Sequence, residues 1–379
     1  MEFIEQQALQ RPELAEKYTK LGELHERKLW HQLTVALQEL VADPAAAKDG
    51  GLVKLYANFI SKFEGKINQL RLAQIICAVG RTCSEPGEAV ALLEGALEKK
   101  GRLGAEASLV LEGELGLLKL GEGKTAEVKA MLATAKTALD DLQGGDTVVH
   151  SAFYRLAVEY HKGVGPPEAF YKNALLFMAY TPLAQMSKEQ QYNLATDVSL
   201  AALTGDGVFN FGEVLATPCL KMLQGTPNAW LGSMLEAFNK GDIDAFNTLC
   251  SENQEAMVAQ PALMSRAAFV KEKIALLSLM NMVFERPSQE RNIPFSEVSV
   301  RTKLPLDQQV EWLVMRAMSL ELIRGVMDQV EEVVHVTWVQ PRVLDKEQLK
   351  HMAERIDAWK DEVKSTHAFV EDQTPELFS

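Results

Sequence analysis

The chain has 379 residues, 47% of them apolar and 24% charged, and a formal net charge of −13. Length and apolar content suit roughly two or three folded units with ordinary cores and exclude a mostly disordered polypeptide. The acidic balance argues against holding a polyanion through a general field, because nucleic-acid affinity comes largely from neutralised phosphates.

The opening Met1-Glu2-Phe3-Ile4-Glu5 has neither the basic start nor the apolar run of a secretory signal. No stretch approaches the length of apolar chain that a bilayer span needs, so no membrane contact is expected. From there the dominant pattern is helical. Leu29, Leu33, Leu37 and Leu40 form one stripe, and Leu52, Leu55, Tyr56, Phe59, Ile60 and Phe63 a second. Val128, Met131, Leu132, Ala135, Leu139 and Leu142 form a third. Residues three and four apart share a helix face, so each stripe is a face that must be covered.

Short breakers separate the stripes: Asp49-Gly50-Gly51, Ser84-Glu85-Pro86-Gly87, Gly121-Glu122-Gly123, Gly144-Gly145 and Gly163-Val164-Gly165-Pro166-Pro167. Glycine ends helices in left-handed geometry and proline starts them well. The spacing predicts antiparallel helix pairs with a period of about 35–45 residues, the range of helical solenoid repeats. A compact bundle is the structural alternative. Cys77, Cys83, Cys219 and Cys250 form no Cys-x-x-Cys pair and lie in apolar helical contexts, as expected of core residues in a reducing compartment.

Towards the C-terminus the pattern changes. An apolar helix over about 263–284 ends at Glu285-Arg286-Pro287, and a short helix follows around Phe295 to Val300. Asp307 is a suitable N-cap for a helix reaching about Leu320. Leu322 to Met327 reads as a strand. Val333 to Val339 alternates, with Val334, Val336 and Trp338 on one side and His335 and Thr337 on the other. Three helices and a hairpin in this order predict a winged helix. A last helix, over about 346–370, spaces Leu349, Met352, Ile356, Trp359 and Val363 as a heptad seam flanked by charges.

No motif points to chemistry. Gly123-Lys124-Thr125 resembles the end of a phosphate-binding loop, but Leu118 stands where the loop needs glycine and a helix precedes it. A turn between helices is the better reading. The seven histidines are scattered; the nearest pair, His25 and His31, would point apart on one helix. No zinc-hydrolase spacing and no nucleophile elbow occurs. Catalytic residues, cofactor sites and metal ligands are therefore all expected to be absent. DNA binding through the winged helix is disfavoured: Arg291 to Asp345 carries six basic and eight acidic residues, with Glu331-Glu332 at the wing tip.

A helical-repeat array leading into a winged helix resembles the domain family shared by the proteasome, the signalosome and translation initiation factor (PCI). The blocks 335–345, 205–213, 28–34 and 55–63, with a weaker one at 230–239, resemble subunits of the 26S proteasome regulatory-particle lid. The resemblance implies a mainly α fold: a TPR-like array over 1–165, and a PCI domain over 166–341 whose helical part is 166–286 and whose winged helix is 287–341. A bundle helix and tail over 342–379 complete it. It implies a non-catalytic scaffold in the cytoplasm and nucleus that supports lid assembly and ubiquitin-dependent degradation. Its partners would be other PCI subunits and the deubiquitinase-containing pair, in a hetero-oligomer without nucleic acid or membrane. Two contact surfaces follow: the seam Leu349, Met352, Ile356, Trp359 and Val363, and the winged-helix edge at Val334, Val336 and Trp338. The competing readings are a PCI subunit of the signalosome or initiation complex, and a nucleic-acid-binding winged helix.

Overall fold

A computed structural model describes residues 2–47, 50–83, 85–98, 100–142, 144–287, 290–305, 308–343 and 346–373. The chain divides into two compact units, Met1–Ser187 and Lys188–Ser379.

In the first unit the helices are α1 (Glu2–Gln10), α2 (Ala15–Glu26), α3 (Trp30–Val41), α4 (Pro44–Ala47), α5 (Gly51–Asn58) and α6 (Gln69–Arg81). They continue with α7 (Pro86–Leu97), α8 (Lys100–Gly121), α9 (Thr125–Asp141), α10 (Thr147–Gly163) and α11 (Pro167–Tyr180). Packing is mostly between near neighbours: α2 on α3, α6 on α7 and α8, α8 on α9 and α10, α10 on α11. This is a helical-repeat array, since each amphipathic helix buries its stripe on the next. Leu33, Leu37, Leu40, Leu55, Ile60, Val128 and Leu139 are all buried. The second stripe spans more than one element, because α5 stops at Asn58 and two 3₁₀ turns, Ile60–Lys62 and Glu64–Lys66, carry Ile60 and Phe63 inward.

Local chemistry sets the boundaries. The Asn68 side chain accepts from Arg71 N–H at the start of α6, and Asp146 accepts from Val148 N–H at the start of α10. Pro86 and Pro167 open α7 and α11. His25 and His31 lie on α2 and α3 rather than on one helix. The breaker 163–167 is a turn inside this unit and not a domain boundary: α11, placed by the sequence in the second domain, packs on α10. There Tyr180 stacks between His150 (4.6 Å) and Tyr154 (5.7 Å).

The second unit opens with α12 (Lys188–Thr204), α13 (Phe211–Leu215), α14 (Ala229–Lys240), α15 (Ile243–Glu252), α16 (Gln254–Val258), α17 (Pro261–Ser265) and α18 (Ala267–Glu285). The long helix expected over 263–284 is broken at Arg266, which leaves helical geometry (φ −118°, ψ 21°). Its guanidinium donates to Thr204 O and Asp206 Oδ1. α18 is buried nearly all round and forms the centre of this unit.

The winged helix comprises β1 (Asn292–Pro294), α19 (Phe295–Thr302), α20 (Gln308–Ser319), β2 (Ile323–Asp328) and β3 (Val333–Val339). The expected cap, Asp307, lies outside the described residues. The sheet order is β1-β3-β2, all antiparallel, with a bulge between Arg324 and Gly325. The hairpin was expected; β1 was not. It places β3 in the middle of the sheet, so the expected edge at Val333 to Val339 is corrected. Val334 pairs with Ile293 on one side and Met327 on the other, and Val334 and Val336 are buried in the unit's own core. The last helix is α21 (Lys346–Gln373).

Candidate protein-docking surfaces

α21 is polar overall but carries one apolar seam. Leu349, Met352, Ile356, Trp359 and Val363 recur at intervals of three and four, which keeps them on one face. All five are exposed, from 49% at Met352 and Val363 to 66% at Trp359. Every described side chain of this helix is exposed. Val370, one heptad beyond Val363, and Phe369 beside it are exposed too and extend the seam towards the C-terminus. Sequence reasoning stopped short of them, although the heptad continuation was readable. Lys350–Glu354 and Lys360–Asp357 pair along the helix and leave the apolar face unobstructed. At 1.5 Å per residue the helix is about 42 Å long, long enough for several turns of coiled contact.

In the winged helix, Val334 and Val336 lie beneath the sheet and offer nothing to a partner. Trp338 is half-buried, with the Arg324 guanidinium 4.8 Å from its ring centre. The open sheet edges belong to β1 and β2. The large exposed apolar side chains here are Val300 on α19, Trp312 and Met315 on α20, Val326 on β2 and Val330 in the turn. The spacing of Trp312 and Met315 was visible in the sequence, but which face of α20 is covered depends on the sheet.

No group of three His, Cys, Asp or Glu side chains among the described residues could hold a metal ion. Burial pushes the Cys77 thiol up to about 12, and the thiols of Cys83, Cys219 and Cys250 are raised by burial as well, the opposite of what activates a nucleophile. Gly123-Lys124-Thr125 is the turn between α8 and α9: Gly123 has φ +81°, and Lys124 pairs with Glu122 at 2.8 Å. A cleft of about 940 Å³ opens beside α19, lined by charges of both signs including Lys240, Asp242 and Glu290. Ion pairs Arg301–Glu285, Arg286–Glu297 and Lys303–Asp244 line it and hold α19 against α15 and α18. No described helix is long and apolar enough to cross a membrane.

Comparison with known proteins agrees with this architecture. Residues 17–235 match the family described as PSD13 N-terminal repeats, and residues 250–338 match the PCI domain. The 26S proteasome non-ATPase regulatory subunit 13 homolog B of Arabidopsis thaliana is 40% identical, over 100% of this chain and 98% of its own length. The 26S proteasome non-ATPase regulatory subunit 13 of Dictyostelium discoideum is 35% identical over the same shares. The 26S proteasome regulatory subunit RPN9 of Saccharomyces cerevisiae is 30% identical, over 93% of this chain and 91% of its own. With full-length relatives at this identity and both halves of the architecture matched, the chain belongs to the family of 26S proteasome non-ATPase regulatory subunit 13.

Proposed function

We propose that this chain is a non-catalytic scaffold subunit of the regulatory-particle lid of the 26S proteasome, acting in the cytoplasm and nucleus. The observation that carries the reading is the exposed seam on α21, from Leu349 to Val363. An isolated helix with such a face is marginal in water, and covering the face stabilises it by about 1.5–3 kcal/mol per large apolar side chain. The partner is therefore a bundle of similar helices from neighbouring lid subunits. A second contact runs from the exposed face of α20 at Trp312 and Met315 to the open edge of β2, and a neighbouring winged helix would cover it. Family membership supports the proteasome over the signalosome or the initiation complex as the assembly. The acidic excess of the winged helix weighs against nucleic acid as a ligand. Capture of the tagged chain from cell extract tests the reading. Lid subunits should co-purify in equal amounts; recovery as a lone monomer under mild conditions, or with a different assembly, refutes it.

A further inference from the structure

Blocks of sequence far apart in the chain meet at the root of α21. After β3 the segment Gln340–Val343 does not leave the unit freely. Gln340 N–H donates to Leu322 O at 2.8 Å. The Arg342 guanidinium donates to Asn239 O (3.2 Å), in the last turn of α14, and lies 5.4 Å from the ring centre of Phe284 on α18. A cation at a helix C-terminus is favoured by the exposed carbonyls there. Val343 N–H donates to Asn210 Oδ1 at 3.1 Å, at the start of α13. Gly212 is packed so closely on Val343 that an added Cβ would lie 2.6 Å from the valine Cβ and 2.9 Å from its carbonyl oxygen. Residues 344 and 345 alone separate this anchored point from α21.

We infer that Asn210, Gly212 and Arg342 are positioning residues: they clamp the segment 340–343 as a strap that fixes where α21 leaves its unit and so pre-aims the seam at its partner helices. The inference rests on the reading of α21 as a docking helix. None of its described side chains is buried, so contacts at its root determine how widely it swings. A helix held to one direction loses less freedom on docking, and its partners meet it at higher effective concentration.

The test uses the full-length chain with spectroscopic labels, introduced as unnatural amino acids, at Glu331 in the wing and Asp361 on α21. Both positions are exposed. The wild type should give one narrow distance distribution. Asn210→Ala with Arg342→Ala should broaden it while helix content and melting are kept, with the undocked population rising roughly tenfold, the effect of one or two net hydrogen bonds. Arg342→Lys with Asn210 intact should restore the narrow distribution, because it keeps a donor cation at the end of α14. Should the double variant melt early, Gly212→Ala takes its place; it removes no bond and puts a methyl where Val343 sits, with the same broadening expected. A broad distribution in the wild type, or a narrow one in a folded variant, overturns the inference. Because the distances are read on the isolated chain, they hold or fail separately from lid membership. That is read by co-capture, which should drop in the broadened variant.

Discussion

Lys273 sits in the core of the second unit with no exposed surface. Its ammonium donates to the carbonyls of Ala202 (2.7 Å), Leu203 (3.4 Å) and Gly205 (2.7 Å), beyond the reach of α12's own N–H groups. Phe209, Phe211 and Phe269 place their rings 5.2–5.6 Å from it. A buried charge satisfied in this way serves the fold and leaves no donor for chemistry. The first unit has a comparable aromatic cluster in which the distant blocks 28–34 and 55–63 meet. His25 lies 5.2 Å from Phe59 and 5.3 Å from Phe63, Trp30 stacks on Phe63, and Lys66 approaches Trp30. Burial, and the charge of Lys66, hold His25 below its ordinary value; burial lowers His161 too. Below the unfolded value near 6.5 the unfolded chain takes up protons that the folded chain refuses, so stability falls as pH drops through that range. The first unit should melt earlier at pH 5.5 than at pH 7, and His25→Leu should flatten part of that slope. An equal slope in the variant would remove His25 from the account.

At the scale of elements, the helices and the hairpin were legible because periods of 3.6 and 2 are written into the residues. Leu33, Leu37 and Leu40 show the first, and the alternation through Val334 and Val336 the second. β1 was not legible: Asn292-Ile293-Pro294 is too short for a period and ends in a proline, which suits an edge strand. Missing β1 made β3 look like an edge. The breaker before Pro167 is ambiguous for a related reason, since glycine and proline mark the end of a helix whether a repeat or a domain comes next. The break at Arg266 has no glycine or proline to mark it; there the guanidinium reaches across to Thr204 and Asp206. The bulge is also tertiary. A Cβ on Gly325 would stand 2.1 Å from His335 O, a backbone atom that cannot turn away. Gly325→Ala should destabilise the winged helix by about 3 kcal/mol. Gly232→Ala in α14, where nothing lies within 4 Å of the added methyl, should cost nothing. Chemical denaturation of both variants checks the contrast; equal midpoints would mean that the bulge does not need glycine.

At the scale of the whole molecule, the apolar seam on α21 is the feature that its own unit does not explain. The sequence carried it in full, because a heptad of large apolar residues flanked by charges is readable without coordinates. What covers it was not readable, because the same spacing serves a helix folded back on its own domain. Trp359 and Ile356 are exposed, so the described residues of the unit leave the seam uncovered. The direct test is Ile356→Asp with Trp359→Asp in the full chain, expressed in cells and followed by quantitative capture of lid subunits. A carboxylate forced unpaired into a helix bundle costs on the order of several kcal/mol. Lid incorporation should therefore fall at least about tenfold, while the array formed by α1–α11 keeps its helix content and melting. Incorporation at the wild-type level would contradict the account.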